Sequence, residues 1–422
     1  MVGTRDEFII IMKAVVFTLG CKVNECESDA LLFGLSELGY QVSDKLEKAD
    51  VYIVNTCAVT SEAEKKSRQT YSRIKKLNPD AKIIFTGCAC QKNAQPFAKK
   101  DGNCLVTGVF EKNKILQMLG DSGIKLAPQS QAYEELCNIK SMRTRTFVKV
   151  QDGCNNFCTY CIIPYLRGRS RSRSPQKIIE EIIKNSPTEV VLTGINLSSY
   201  NYNGISLVGL IDSLKDIDCR IRLGSLEVGI INEEFLQALK NLRCFAPHFH
   251  LSLQSGSNAI LKKMNRHYTR EEFIQKAKLI KEFFPSEGIT TDIIVGFPNE
   301  TEQDFLDTLD LIKQVNFSDI HAFPFSPREG TVAYKMQDLS NEIKKQRLNT
   351  LLDVKLQIKK QFVSEYIGKQ LCFLPEEFKE GYTQGYSENY MPIYVKGNFI
   401  SQKIIKVKIV AHYKDGAMAE II

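Results

Sequence analysis

The sequence predicts an α/β protein in three parts: an N-terminal parallel α/β domain, a central α/β series, and a small C-terminal antiparallel β-barrel. Three observations predict it. Apolar β-rich runs alternate with helical stretches from Met12 to about Gly123. A second alternation begins near Thr146 with six strand–helix units, short of the eight of a complete barrel, which leaves a partial barrel or an open sheet. After Gly368 short β-rich runs and turn residues dominate. The 422 residues are 43% apolar and 25% charged, an ordinary globular composition that excludes wholesale disorder and suits two or three domains.

The elements follow in order. MVGTRDEFIII precedes Met12, and MKAVVFTLG reads as a clean first strand, so residues 1–11 read as an extension. Strands are expected at Ala14–Thr18, Val51–Asn55, Ile83–Thr86 and Leu105–Thr107. Asn24-x-x-Glu27 has the form of a capping box, followed by Leu31, Leu35 and Leu38 at helical spacing and ended by Gly39. Ser61-x-x-Glu64 opens a second helix carrying Lys65, Lys66, Arg68, Arg73, Lys75 and Lys76. A linker with Pro128 spans roughly Ile124 to Lys140. The second series places strands at Phe147–Val150, Glu189–Leu192, Arg220–Leu223, His248–Leu251, Thr290–Val295 and Ile320–Phe323. Ser174-Pro175 is a helix start with proline at the first helical position. Glu342 to Tyr366 reads as one long charged helix, and the runs GYTQGYSENY and KIIKVKIV as parts of the barrel. The barrel is rich in Tyr and Phe, which form a core or stack on bases. No run approaches 18 apolar residues, and Phe8 to Met12 is too short for an export signal, so a cytoplasmic protein without membrane contact is expected.

Thirteen cysteines, an odd number, argue against a disulfide framework in a reducing compartment and favour metal or redox chemistry. The sharpest pattern is Cys154-x-x-x-Cys158-x-x-Cys161, after a strand and after Gly153. Zinc normally needs a fourth ligand, and no fourth cysteine is near. Three thiolates on a four-iron cluster leave one iron open. Cys21, Cys57 and Cys88 each follow the end of a successive strand, and in a parallel sheet those ends share one edge. Cys26 and Cys90 compete with them as ligands on these grounds. Cys104, Cys137, Cys219, Cys244 and Cys372 read as ordinary thiols. Between Lys140 and Arg173 eight bases face one acid, Asp152, an excess equal to the +7 of the whole chain. Such a field attracts polyanions. His248, His250 and His267 have no ligand-like spacing and read as packing or surface residues.

The Cys154–Cys161 spacing resembles the radical S-adenosylmethionine superfamily. Together with TLGCKVNECES, NTCAVT, TGCACQ, YLRGRSRS, LTGIN, HLSLQSGS, LKKMNRHYT and DIIVGFPNET, the chain from Met12 to Ile422 resembles the methylthiotransferase family. The resemblance implies a methylthiotransferase N-terminal domain at 12–123, a partial (β/α)6 radical-SAM barrel at 140–361 and a TRAM barrel at 362–422. It implies two [4Fe-4S] clusters: Cys154, Cys158 and Cys161 on one, and Cys21, Cys57 and Cys88 on the other. Cys88 is preferred over Cys90 because the family motif Gly-Cys-x-x-Gln matches Gly87, Cys88 and Gln91. Tyr160 and Gly194 resemble the family's S-adenosylmethionine-contacting positions; Glu227 and Gln254, at strand ends facing the same site, and Asp292 and Gly296, ending a later strand where glycine would let the cofactor approach the backbone, are further candidates, and Arg167, Arg169, Arg171 and Arg173 are expected to contact RNA phosphates. LGCKVN and GYSENY look most like the branch acting on N6-threonylcarbamoyladenosine. Glu25-Cys26 departs from that branch's uncharged residue and Tyr, and Val228 stands where Pro is common, near the pocket.

The family's reaction replaces C–H at carbon 2 of the adenine by S–CH3, using two molecules of S-adenosylmethionine. The resemblance implies that one methylates sulfur on the auxiliary cluster and the other yields the deoxyadenosyl radical, with the base between the clusters. That C–H is too strong and unacidic for acid–base chemistry, so a cofactor must supply the reactivity. The implied partners are a tRNA anticodon stem-loop, an electron donor such as flavodoxin or ferredoxin, and a sulfur donor. The same cysteines serve branches acting on isopentenyladenosine tRNA or a ribosomal-protein aspartate. A non-catalytic zinc RNA-binding protein is a third reading.

Overall fold

Valine, isoleucine and phenylalanine runs separated by polar helices build the first of two compact units. The computed structural model describes residues 12–98, 102–136 and 143–422; the expectations for residues 1–11, Cys137 and Lys140 lie outside them. One unit is Met1–Ser141 with Tyr165–Gly168, the other Met142–Pro164 with Arg169–Ile422.

The first unit holds strands β1 (Lys13–Thr18), β2 (Gln41–Ser43), β3 (Val51–Thr56), β4 (Lys82–Gly87), β5 (Cys104–Thr107) and β6 (Gly123–Lys125). They pair in parallel in the order β2-β1-β3-β4-β5-β6. The four expected strands are present. The edge strands β2 and β6, three residues each, were too short to announce themselves. Helices α1 (Lys22–Glu37) and α2 (Ser61–Leu77) follow β1 and β3. Val16, Leu31, Leu35, Ile53, Ile84 and Leu105 pack between the sheet and α1.

The capping box expected at Asn24 and Glu27 is absent. Helix α1 starts earlier, with Cys21 as its N-cap and no side-chain cap. Asn24 and Glu27 lie inside the helix, each about 1% exposed. Asn24 Nδ2 donates to the carbonyls of Leu19 and Thr56 at 2.8 and 3.1 Å, and Glu27 pairs with Lys112. Tertiary partners claimed the polar groups that the local pattern assigned to the helix end. Helix α2 does carry a side-chain cap, one residue earlier than Ser61: Thr60 accepts from the Ala63 N–H at 3.1 Å.

In the second unit, β7 (Arg145–Lys149), Glu189–Thr193 and Arg220–Leu223 form one parallel sheet. His248–Gln254, Gly288–Val295 and Asp319–Pro324 form the next, joined by the short strand Ser225–Leu226. A bridge from Ile221 to Phe245 links the two arcs. The six predicted strands thus curve into a partial barrel, and Val148, Val190, Leu223, Leu251 and Ile293 pack with helix residues such as Ile178, Leu210 and Phe235 in one core. Val228, the departure from the family's Pro, is buried in this core. Among the described residues no helix is long and apolar enough to cross a membrane.

Gln370–Lys379, Tyr382–Ser387, Pro392–Lys396, Gly416–Ile421 and Ile405–Tyr413 close a small barrel in that order. All its pairs are antiparallel except Pro392–Lys396 with Gly416–Ile421. The helix Asn341–Tyr366, about 39 Å long at 1.5 Å per residue, ties this barrel to the larger one. Leu351 and Ile358 belong to the large core, Phe362, Val363 and Tyr366 to the small one.

The GYSENY segment is a docking hairpin. Arg145, Glu189 and Arg220 stand side by side at the beginnings of three neighbouring strands. The Glu189 carboxylate, fully buried, binds both Arg220 and Arg222. Arg222 then donates to the carbonyls of Ser387 and Glu388 at 3.0 and 2.9 Å, and Arg220 to that of Cys372 at 3.0 Å. Tyr390 stacks on His248 at 4.4 Å and on Tyr386 at 4.5 Å. These residues hold the small barrel beneath the amino ends of the strands. In parallel sheets ligands bind at the opposite, carboxyl ends. GYSENY therefore serves the docking of the small barrel.

Candidate metal centres

The first cysteine group is set by sheet register. Thr18 pairs with Asn55, and Thr56 with Gly87, so Cys21, Cys57 and Cys88 leave the adjacent strands β1, β3 and β4 at one edge. Two glycines allow the close approach. A Cβ on Gly20, at φ +121°, would meet Cys57 Cβ at 3.0 Å and Sγ at 3.1 Å. A Cβ on Gly87, at φ +100°, would meet the Thr56 carbonyl at 2.5 Å. Gly87→Ala should therefore cost about 1–3 kcal/mol of stability and lower the metal content; an unchanged melting curve would refute the close approach.

The Cys57 thiol is pushed up to about 12 by burial, a backbone N–H from Val59 partly opposing this, with Cys88 and Cys21 adding to the rise. Cys88 opens the short helix Cys88–Lys92, and its sulfur accepts from Arg167 Nε at 3.3 Å. Cys90 instead points into the sheet, where its sulfur accepts from the Thr56 hydroxyl at 3.5 Å. Cys26 is buried along α1. Cys88 is the one whose sulfur accepts from Arg167 and acts electrostatically on both Cys21 and Cys57.

The second group lies in the loop after β7. Gln151, fully buried, pins this loop: its Nε2 donates to the Gly153 carbonyl at 2.7 Å and its Oε1 accepts from the Asn196 N–H at 2.8 Å. Cys154 accepts from Asn156 N at 3.5 Å and Asn196 Nδ2 at 3.8 Å. Cys158 accepts from Arg266 Nη1 at 3.4 Å. Burial raises the Cys161 thiol to about 12; an Ile163 backbone hydrogen bond lowers it, while Cys158 and Cys154 raise it. Thiols this basic become thiolates only against a bound cation.

Within each trio the thiols are close enough to act on one another electrostatically: Cys88 on Cys21 and Cys57, and Cys158 and Cys154 on Cys161. Three thiolates without a fourth side-chain ligand are a donor set that suits an iron–sulfur cluster.

The other predicted residues divide. Glu227 reaches the cysteine loop: its carboxylate binds Arg266 and accepts from Asn156 Nδ2 at 3.3 Å. Arg266, which also donates to the Ser252 carbonyl at 2.8 Å, was missed, because nothing in NRHYT separates a sulfur-binding arginine from a surface one. Tyr160, half-buried, packs against Met264, Phe297 and Phe325. Gln254 sits at a register break in its strand with φ +70°. Gly194 abuts Gln151, whose Oε1 lies 2.9 Å from a Cβ placed there. Gly296 was expected to open its backbone to S-adenosylmethionine. Instead Lys344 covers it, 2.5 Å from a Cβ, and its N–H donates to Glu300 at 2.7 Å.

Asp292 is engaged by two histidines: His250 Nε2 lies 3.2 Å from one carboxylate oxygen and His321 Nδ1 3.3 Å from the other. Burial would raise this carboxyl, but the two histidine hydrogen bonds outweigh it and hold it far below the usual range. His250, read as a packing residue, is thus part of a polar trio on neighbouring strands. Its ligand atoms lie within 4.8 Å, yet each carboxylate oxygen already has an imidazole partner. The signal was invisible in sequence because register alone sets Asp292 beside His321.

The four arginines also divide. Arg167, Arg171 and Arg173 are buried and paired with Glu27, Asp152 and Glu181 respectively. An ion-paired, desolvated guanidinium does not face a phosphate, so the expectation for these three is corrected. Arg169 is exposed and lies over the Phe157 ring at 4.5 Å.

Residues 148–312 match the radical SAM superfamily, and residues 13–108 match the uncharacterized protein family UPF0004. The chain is 37% identical to threonylcarbamoyladenosine tRNA methylthiotransferase MtaB of Bacillus subtilis (strain 168), over 97% of each chain. It is 38% identical to the MtaB of Aquifex aeolicus, over 85% of this chain and 92% of that one. It is 37% identical to tRNA-2-methylthio-N(6)-dimethylallyladenosine synthase of Clostridioides difficile, over 80% and 75%. In fold it is similar to the cobalamin-dependent S-adenosylmethionine radical enzyme OxsB, with a TM-score of 0.51 and 13% identity over 84% of this chain and 56% of that one. With relatives of this identity along nearly its whole length, the chain belongs to the radical-SAM methylthiotransferase family, whose enzymes use S-adenosylmethionine and a [4Fe-4S] cluster.

Proposed function

We propose that this protein is a cytoplasmic tRNA methylthiotransferase that places a methylthio group on carbon 2 of N6-threonylcarbamoyladenosine beside the anticodon. The observation that carries the two-centre reading is the meeting of Cys21, Cys57 and Cys88 at one sheet edge, apart in sequence from Cys154, Cys158 and Cys161. The substrate reading is supported by the match over 97% of the Bacillus enzyme, against 75% of the dimethylallyladenosine enzyme.

When bound, the clusters and two molecules of S-adenosylmethionine supply the radical and the sulfur. The chain supplies position. Cys154, Cys158 and Cys161 would hold one four-iron cluster and Cys21, Cys57 and Cys88 the other, three thiolates in each case. Arg266 and Glu227 brace the first cysteine loop. Tyr160, Gln254 and the backbone near Gly194 line the S-adenosylmethionine side, while Asp292 and Gly296, already engaged, support the wall behind it. Arg169 meets a tRNA phosphate, and sulfur and electrons arrive from separate donors, the latter of flavodoxin or ferredoxin type.

Nucleoside analysis of tRNA from a strain lacking the gene tests the proposal. Loss of 2-methylthio-threonylcarbamoyladenosine, restored by the cloned gene, is expected. Loss of the isopentenyl product instead would move the enzyme to the other tRNA branch. Unchanged tRNA would exclude both.

A further inference from the structure

We propose that Arg167 is a positioning residue that sets the reduction potential of the cluster held by Cys21, Cys57 and Cys88; this rests on the ligand assignment proposed above. Arg167 ends the short helix Ile163–Arg167 and is 1% exposed. Its Nε donates to Cys88 Sγ at 3.3 Å. Its two terminal nitrogens grip Glu27 as a fork, at 2.9 and 3.1 Å, and one also donates to Asn24 Oδ1 at 2.9 Å. Glu27 is shared with Lys112, itself 1% exposed, which donates to Asn55 Oδ1 at 3.1 Å.

One carboxylate thus serves two desolvated cations. Buried charge is costly unless balanced. A thiolate at Cys88 adds negative charge beside these cations, and the guanidinium is already aimed at it. The fork on Glu27 fixes the direction of Nε, as partners one step removed fix metal ligands elsewhere. Hydrogen bonds and positive charge at a cluster sulfur favour the reduced, more negative state. Arg266, bound to Cys158 and Glu227, repeats the arrangement at the other cysteine loop.

The test uses the full-length chain with Cys154, Cys158 and Cys161 changed to alanine and reconstituted anaerobically, so that the remaining cluster alone reports. About four irons per chain are expected; no iron would sink the ligand assignment rather than the role of Arg167. Potentiometric titration followed by electron paramagnetic resonance then reads the midpoint. Arg167→Met should lower it and Glu27→Gln should raise it, because the second change removes negative charge and keeps both cations. Arg167→Lys should lie between Arg167→Met and the parent. Should Arg167→Met fail to hold iron, the upward shift in Glu27→Gln carries the test. Midpoints equal to the parent's in the iron-containing variants would overturn the proposal.

Discussion

Cys57→Ala is expected to retain reductive cleavage of S-adenosylmethionine and to lose methylthio transfer below detection, whereas Cys154→Ala loses both. Cys57 lies past the end of β3 in the first unit, and Cys154 in the loop after β7 of the second. The two thiols therefore sit in different compact units, and removing one is expected to leave the other's loop in place. Gln151, Asn196 and Arg266 continue to pin the Cys154 loop when Cys57 is gone. Each variant should lose about four irons per chain. Deoxyadenosine release and nucleoside analysis measure the two outcomes separately. If both variants cleaved S-adenosylmethionine normally and lost only RNA binding, the division between the two centres would be wrong.

Glu189→Gln carries the largest expected effect on stability, about 3–5 kcal/mol, because it strands two buried arginines without their carboxylate. Arg220 and Arg222 are 2% and 1% exposed, and Arg222 also holds the Ser387–Glu388 hairpin. The small barrel should loosen first, read as faster hydrogen exchange over Gln370–Tyr390. Acid should act in the same way. Burial opposes ionisation of Glu189, but Arg222 and Arg220 outweigh it and hold the carboxyl below its ordinary 4.5. The unfolded chain then takes up the proton first. This contribution is complete above about 4.5 and falls away as the pH drops through the lower folded value. Glu189→Gln should abolish that part of the acid dependence; equal slopes for variant and parent would count against the lock.

Much of the fold was legible because a buried parallel strand leaves a continuous apolar run. Val51–Asn55 and Ile83–Thr86 announced β3 and β4 in this way, whereas β2 and β6 carry three residues each and no such run. Asn24 and Glu27 misled for the opposite reason: a pattern of two polar residues is local, but their partners are Thr56, Lys112 and Arg167.

The sequence by itself determined the loop trio Cys154, Cys158 and Cys161, since eight residues of one loop keep their three thiols near one another, and it placed Cys21, Cys57 and Cys88 at strand ends. Only the tertiary structure decided that Cys88 rather than Cys90 faces that edge, that Arg167 is buried against it, and that Asp292 lies between two histidines. Those facts depend on strand register and on which way each side chain leaves the backbone. Both are fixed by packing between segments distant in the chain, where spacing along the sequence carries no information.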